Sequence, residues 1–178
     1  MERFSYVLGS RFLVLCLVFL ALSACGQKPI SESSDPEVVA LADEAREISL
    51  KWLDAAAANS TSSEMSARIE AVRASLESSD LRSPPALYSD TCDTNSKGFV
   101  AAFVTEQNTS TSPDIFVCSH TKRFGKYFLA QVLIHESIHL TGIHDECATT
   151  QVEVDIMRGA FQEAFENSYM NRCGIAKN

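Results

Sequence analysis

The sequence predicts an α+β domain, mainly helical, with a small β-hairpin packed on one of its helices. Apolar residues recur at helical spacing in four separate stretches, whereas β-rich runs bounded by turn formers occur once, as a pair. The chain has 178 residues, a length that suits one domain, and its 46% hydrophobic and 21% charged content is that of a globular protein. It is acidic: 15 Lys and Arg against 23 Asp and Glu give a formal charge of −8. A phosphate backbone needs a basic face, and none is visible, so no nucleic-acid partner is expected.

Residues 1–24 read as a signal segment outside the domain. Arg3 and Arg11 precede Phe12–Leu22, an unbroken apolar run of 11 residues. As a helix it would rise only about 16 Å, roughly half a bilayer core, which fits a secretory signal and not a membrane span. Leu22-Ser23-Ala24-Cys25 resembles the lipobox of bacterial lipoproteins. The resemblance implies that Cys25 becomes a lipidated N-terminus, and Gly26, where Asp would favour the inner membrane, implies the outer membrane facing the periplasm. A plain cleaved signal is the alternative. Residues 25–35 are polar and aperiodic, a tether between lipid and domain. Beyond Cys16 and Cys25, four of the six cysteines remain: Cys92, Cys118, Cys147 and Cys173. That even number in an exported chain predicts two disulfides. No C-x-x-C pair supports a cysteine zinc site instead.

The domain occupies residues 36–178. Val38, Leu41, Ala42, Ala45, Ile48, Trp52, Leu53 and Ala56 mark a first helix, with Asp35 as its N-cap and Pro36 at its first position. Met65, Ile69, Val72 and Leu76 mark a second, between Ser62-Ser63 and Ser79-Asp80. Leu81–Cys92, with Pro84-Pro85, reads as a loop. Gly98–Thr105 and Ile115–Cys118 are the β-rich runs, and the intervening turn formers predict a hairpin. The sequons at Asn59 and Asn108 read as polar loop. Residues 126–141 form a third helix stopped by Gly142, and Glu146 to about Tyr169 a fourth, so the last two lie antiparallel. His120 reads as a surface loop residue and Met157 as core.

The chemistry lies on the third helix, in His135-Glu136-Ser137-Ile138-His139. Four residues along an α-helix bring two imidazoles about 40° apart and ~6 Å along the axis, so both reach one ion from one face. Glu136 stands beside them as a general base for a water that zinc activates. Burying two His and a Glu behind Leu129, Val132, Leu133 and Ile134 without a metal would leave costly polar groups. Catalytic zinc takes three protein ligands and one open position. With the turn centred near residues 142 and 143, His139 faces 146 or 147 and His135 faces 150, which favours Glu146 as the third ligand. Glu153 lies about 10 Å further along that face, better placed to orient His135 from behind. Asp145 is the alternative ligand, from its spacing in H-E-x-x-H-x-x-G-x-x-D, and would otherwise cap the fourth helix.

From Cys92 through Phe99–Val104, Ile115–Cys118 and Leu133–Glu136 to Asp145-Glu146, the chain resembles the aspzincin, or lysine-specific metalloendopeptidase-like, group of zincins. The resemblance covers residues 92–150. It implies a zincin-like fold, a zinc peptidase acting on a peptide or protein substrate, His135 and His139 as ligands, and Glu136 as base. It places the group's G-T-x-D on Gly142–Asp145, and it implies a Cys92–Cys118 bond. Glu146 opening a helix resembles the gluzincins instead, so both acids stay open. The group's tyrosine position is Ala148, leaving His144, Tyr169 or Tyr127 as transition-state donors. The Cys92–Cys118 bond would leave Cys147 with Cys173, which an unbroken helix to Tyr169 cannot join unless it breaks at Gly159. A lipoprotein binding module with a structural or non-catalytic zinc is the other reading of the whole, and hydrolysis of cell-wall peptide crosslinks a third.

Overall fold

The computed structural model describes residues 35–92, 100–105, 113–167 and 169–176. The signal segment, Cys25, the tether to residue 34 and the turn with Asn108 lie outside them.

Helix α1, Pro36–Asn59, begins as the sequence predicts: the Asp35 carboxylate accepts from the Glu37 N–H at 3.1 Å, and Pro36 sits where no donor is needed. Its buried stripe is Val38, Ala42, Ala45, Ser49, Leu53 and Ala56. So many small residues let neighbours come close, and α1 packs chiefly on the helices α3, Gly125–Leu140, and α4, Glu146–Phe161. Ser49 Oγ, buried between α1 and α3, lies 2.8 Å from Ala45 O and 2.9 Å from Ala130 O. Helix α2, Ser63–Ser78, capped by Ser62, adds Ile69, Val72 and Leu76 to the core.

The hairpin forms, but shorter than the β-rich runs. Strand β2, Ala102–Phe103, pairs antiparallel with β3, Asp114–Val117. A third strand was not expected. β1, Asp80–Arg82, pairs parallel with β3, giving the order β1-β3-β2. The expected loop of residues 81–92 is therefore a strand followed by a 3-10 helix, Ala86–Cys92. Three residues are too few to show period 2, and a parallel partner more than 30 residues away leaves no local signal. His120, expected in a surface loop, is half-buried in a 3-10 helix, Ser119–Arg123. Met157 is core, as expected, 1% exposed.

Helix α3 is buried nearly all round, through Leu129, Ala130, Leu133, Ile134, Glu136, Ser137, Ile138 and His139. Gly142, at φ 94°, turns the chain after it in a conformation an L side chain resists. Helix α4 ends at Phe161 and not near Tyr169, because Gln162 takes a left-handed C-cap at φ 57°. The short helix α5, Met170–Cys173, then returns alongside α4. Both disulfides follow: Cys92–Cys118 and Cys147–Cys173. The second, excluded by an unbroken helix, forms because the helix stops at Phe161, while Gly159 stays helical against Ala56.

Candidate metal centre

The antiparallel pair α3 and α4 brings His135, His139 and Glu146 together, with donor atoms all within 4.8 Å of one another, a group that could hold a metal ion. Glu146 reaches both imidazoles: Oε2 is 3.3 Å from His135 Nε2, and Oε1 is 3.5 Å from His139 Nε2. Two donors bound to one zinc at ~2.0–2.1 Å with tetrahedral angles stand ~3.3–3.5 Å apart. Both distances from the Glu146 carboxylate to the imidazoles fall in that range.

Each histidine has its other nitrogen engaged. His139 Nδ1–H donates to Ile143 O at 2.7 Å, and Thr149 Oγ1 donates to the same carbonyl at 3.1 Å. His135 Nδ1 lies 2.9 Å from Glu153 Oε2, and Gln131 Nε2 donates to Glu153 Oε1 at 2.6 Å. These bonds fix both rings with Nε2 toward the centre. Glu153 thus orients His135, as its place along α4 predicts. Asp145, the alternative ligand, is spent otherwise: its carboxylate accepts from the Ala148 N–H at 2.8 Å and caps α4.

The electrostatics follow from burial and from three carboxylates in a small space. Burial would push His135 down, but its hydrogen bonds to the Glu146 and Glu153 carboxylates, with the charges of Glu153 and Glu136, outweigh this and hold it at about 10. Burial pushes Glu136 up to about 8, helped by the Glu146 and Glu153 charges and opposed by the His135 charge and the Val104 N–H. Burial lowers His139, and the His135 charge adds to this. The His135 hydrogen bond lowers Glu146. A dication at the Nε2 atoms would take the place of the proton on His135 and favour an ionised Glu136.

All of these groups line one open cleft of about 850 Å³, with the segment from Val100 to Thr105, Phe128, Val132, Asn167, Tyr169 and Arg172. Of the expected transition-state donors, His144 and Tyr169 line it. Tyr127 does not, being 65% exposed and stacked on Trp52. Sequence reasoning missed Gln131, Thr149, the Val104 N–H and Arg172. Gln131 alone had a local signal, one helical turn before His135 on the same face. No protein-family model, curated protein or solved structure matches the chain.

Proposed function

We propose that the chain is a zinc-dependent peptidase of the zincin type, acting on a peptide or protein substrate. What carries the reading is three donors on one side of an open cleft, with the Glu136 carboxyl beside them. A structural zinc is closed by four protein ligands, whereas a catalytic one leaves a position for water and substrate. His135, His139 and Glu146 would hold the metal. When bound, zinc would polarise the scissile carbonyl and acidify the attacking water. Glu136 Oε accepts that water's proton and returns it to the leaving amine, a task suited to a carboxyl raised toward neutrality. β2 is an edge strand of the described sheet and lines the cleft, so an extended peptide can lie along it beside the centre. His144 or Tyr169 supplies a hydrogen bond to the oxyanion.

Elemental analysis with casein hydrolysis tests this. Glu136→Gln should keep the metal and lose ~10²–10⁴-fold in rate; His139→Ala should lose both. Hydrolysis retained in the Gln variant sinks the role of Glu136, and a purified chain that takes up no metal sinks the whole reading. A chain that holds zinc and cleaves nothing is the binding module.

We also propose that the protein is a lipoprotein of the bacterial envelope, anchored through Cys25 at the outer membrane and facing the periplasm. Two disulfides within the domain support an oxidising compartment. Mass spectrometry of the mature N-terminus should show acylated Cys25; an unmodified residue there removes the anchor.

A further inference from the structure

The charged lining of the cleft is lopsided. Its acids, Glu136, Glu146 and Glu153, all belong to the centre, and among the described residues that line it Arg172 is the single Lys or Arg. The Arg172 guanidinium carbon lies 5.3 Å from the centroid of the Tyr169 ring, and that ring lies 6.5 Å from the His135 ring. The cation is therefore one aromatic ring removed from a proposed metal ligand, and the ring face holds it there.

Its backbone is held too. Arg172 sits on α5 next to Cys173, whose disulfide partner Cys147 directly follows Glu146. No ion pair to Arg172 is found among the described residues. Its charge does reach Glu146, where it reinforces the lowering that the His135 hydrogen bond begins. Once Glu146 is committed to a dication, that carboxylate no longer offsets the guanidinium. A planar fork of donors, exposed on a cleft wall and held by an aromatic ring, is suited to a carboxylate taken bidentately.

Resting on the peptidase reading, we propose that Arg172 makes the cleft selective for peptides that carry a carboxylate close to the scissile bond. Tyr169 is the positioning residue that keeps the guanidinium in the cleft. The carboxylate is supplied either by an Asp or Glu side chain or by the terminus of the substrate chain.

Binding to the full chain in its zinc-loaded Glu136→Gln form tests this without requiring turnover. The probes are acetylated alanine-based octapeptides with one Glu, or its Gln counterpart, at successive positions, each with a free or an amidated C-terminus. Calorimetry should show one position at which Glu binds about tenfold more tightly than Gln, the scale of a charge-assisted pair partly exposed to water. A gain from the free terminus alone would identify the terminal carboxylate as the source. Adding Arg172→Gln should erase the difference, Arg172→Lys should restore part of it, and Arg172→Glu should favour Lys-bearing peptides. Arg172 is exposed, so these changes leave the core intact.

Equal binding of all probes, no binding of any, or a preference that survives Arg172→Gln overturns the proposal. The peptidase reading fails separately, when the wild-type chain leaves intact the peptides that its Gln variant binds. Cleavage with no carboxylate preference keeps the peptidase and removes the role of Arg172.

Discussion

Helices α1 and α3 pack on each other along buried stripes, yet the two stripes differ in kind. On α1 the buried residues are Val38, Ala42, Ala45, Ser49, Leu53 and Ala56, and the one polar group lies within hydrogen-bond reach of two carbonyls. On α3 an acid and an imidazole are buried among the leucines and isoleucines, and their neighbours come from other elements. A helix chosen for stability alone resembles α1, since burying a carboxyl without full compensation is costly. α3 carries that burden on the face turned to the cleft and is supported from behind by α1. The difference teaches where to look for chemistry: buried groups whose charge only a second element can balance.

The contrast is broken most severely on the α1 side. Leu53 is 0% exposed, and Leu53→Ala should lower unfolding free energy by about 2–5 kcal/mol. Denaturant titration reads this, and metal stoichiometry per folded molecule should not change. A matching loss of metal would mean that α1 shapes the centre directly.

A change on the α3–α4 side should do the reverse. Glu153→Gln should weaken metal binding ~10–100-fold, because His135 loses the acceptor that orients it, and should cost the metal-free fold only the stability that the His135 proton lends it. The same titration in buffers of different ionisation heat should show proton release at neutral pH. His135, held at about 10 in the metal-free protein, must give up its proton to bind, so affinity rises with pH and falls as acid is added. The metal-free protein should correspondingly lose stability as pH rises from about 6.5 through 10, since the folded state binds that proton more tightly than the unfolded one. Glu153→Gln should reduce both effects, and calorimetry that finds no proton release would remove the charged His135.

The smallest effect sharpens the assignment of the third ligand. Asp145→Ala should cost about 1 kcal/mol through loss of the α4 cap and leave metal content unchanged. Metal lost with Asp145 and kept in Glu146→Ala would reverse the two acids.

Much of this arrangement was legible in the residues. The cap at Asp35 and Pro36 is local chemistry, and the spacing of His135 and His139 is fixed by helix geometry wherever that helix lies. The antiparallel pairing places Glu146 beside both histidines and Glu153 against His135 Nδ1, where the sequence put them, because a turn near Gly142 leaves few registers. Asp145 and Glu146 are neighbours, and which one faces the histidines depends on how the chain enters α4, a matter of backbone angles from Thr141 to Asp145. The end of α4 was hidden because Gln162 adopts a left-handed cap that Gly or Asn usually marks. Arg172 reached the cleft only through that early stop, so no periodicity could have placed it there.

The bond between Cys147 and Cys173 has a consequence for the order in which the protein matures. A newly made chain with reduced thiols can form α3 and present both histidines, since that helix needs no crosslink. Nothing covalent then secures the segment bearing Tyr169 and Arg172, which is held only by the packing of Met170 and by neighbouring hydrogen bonds until the thiols oxidise. Under the proposed peptidase and envelope readings taken together, substrate recognition would be completed last, in the compartment where thiols pair, and the synthesising cell's own proteins would meet an enzyme with a looser grip.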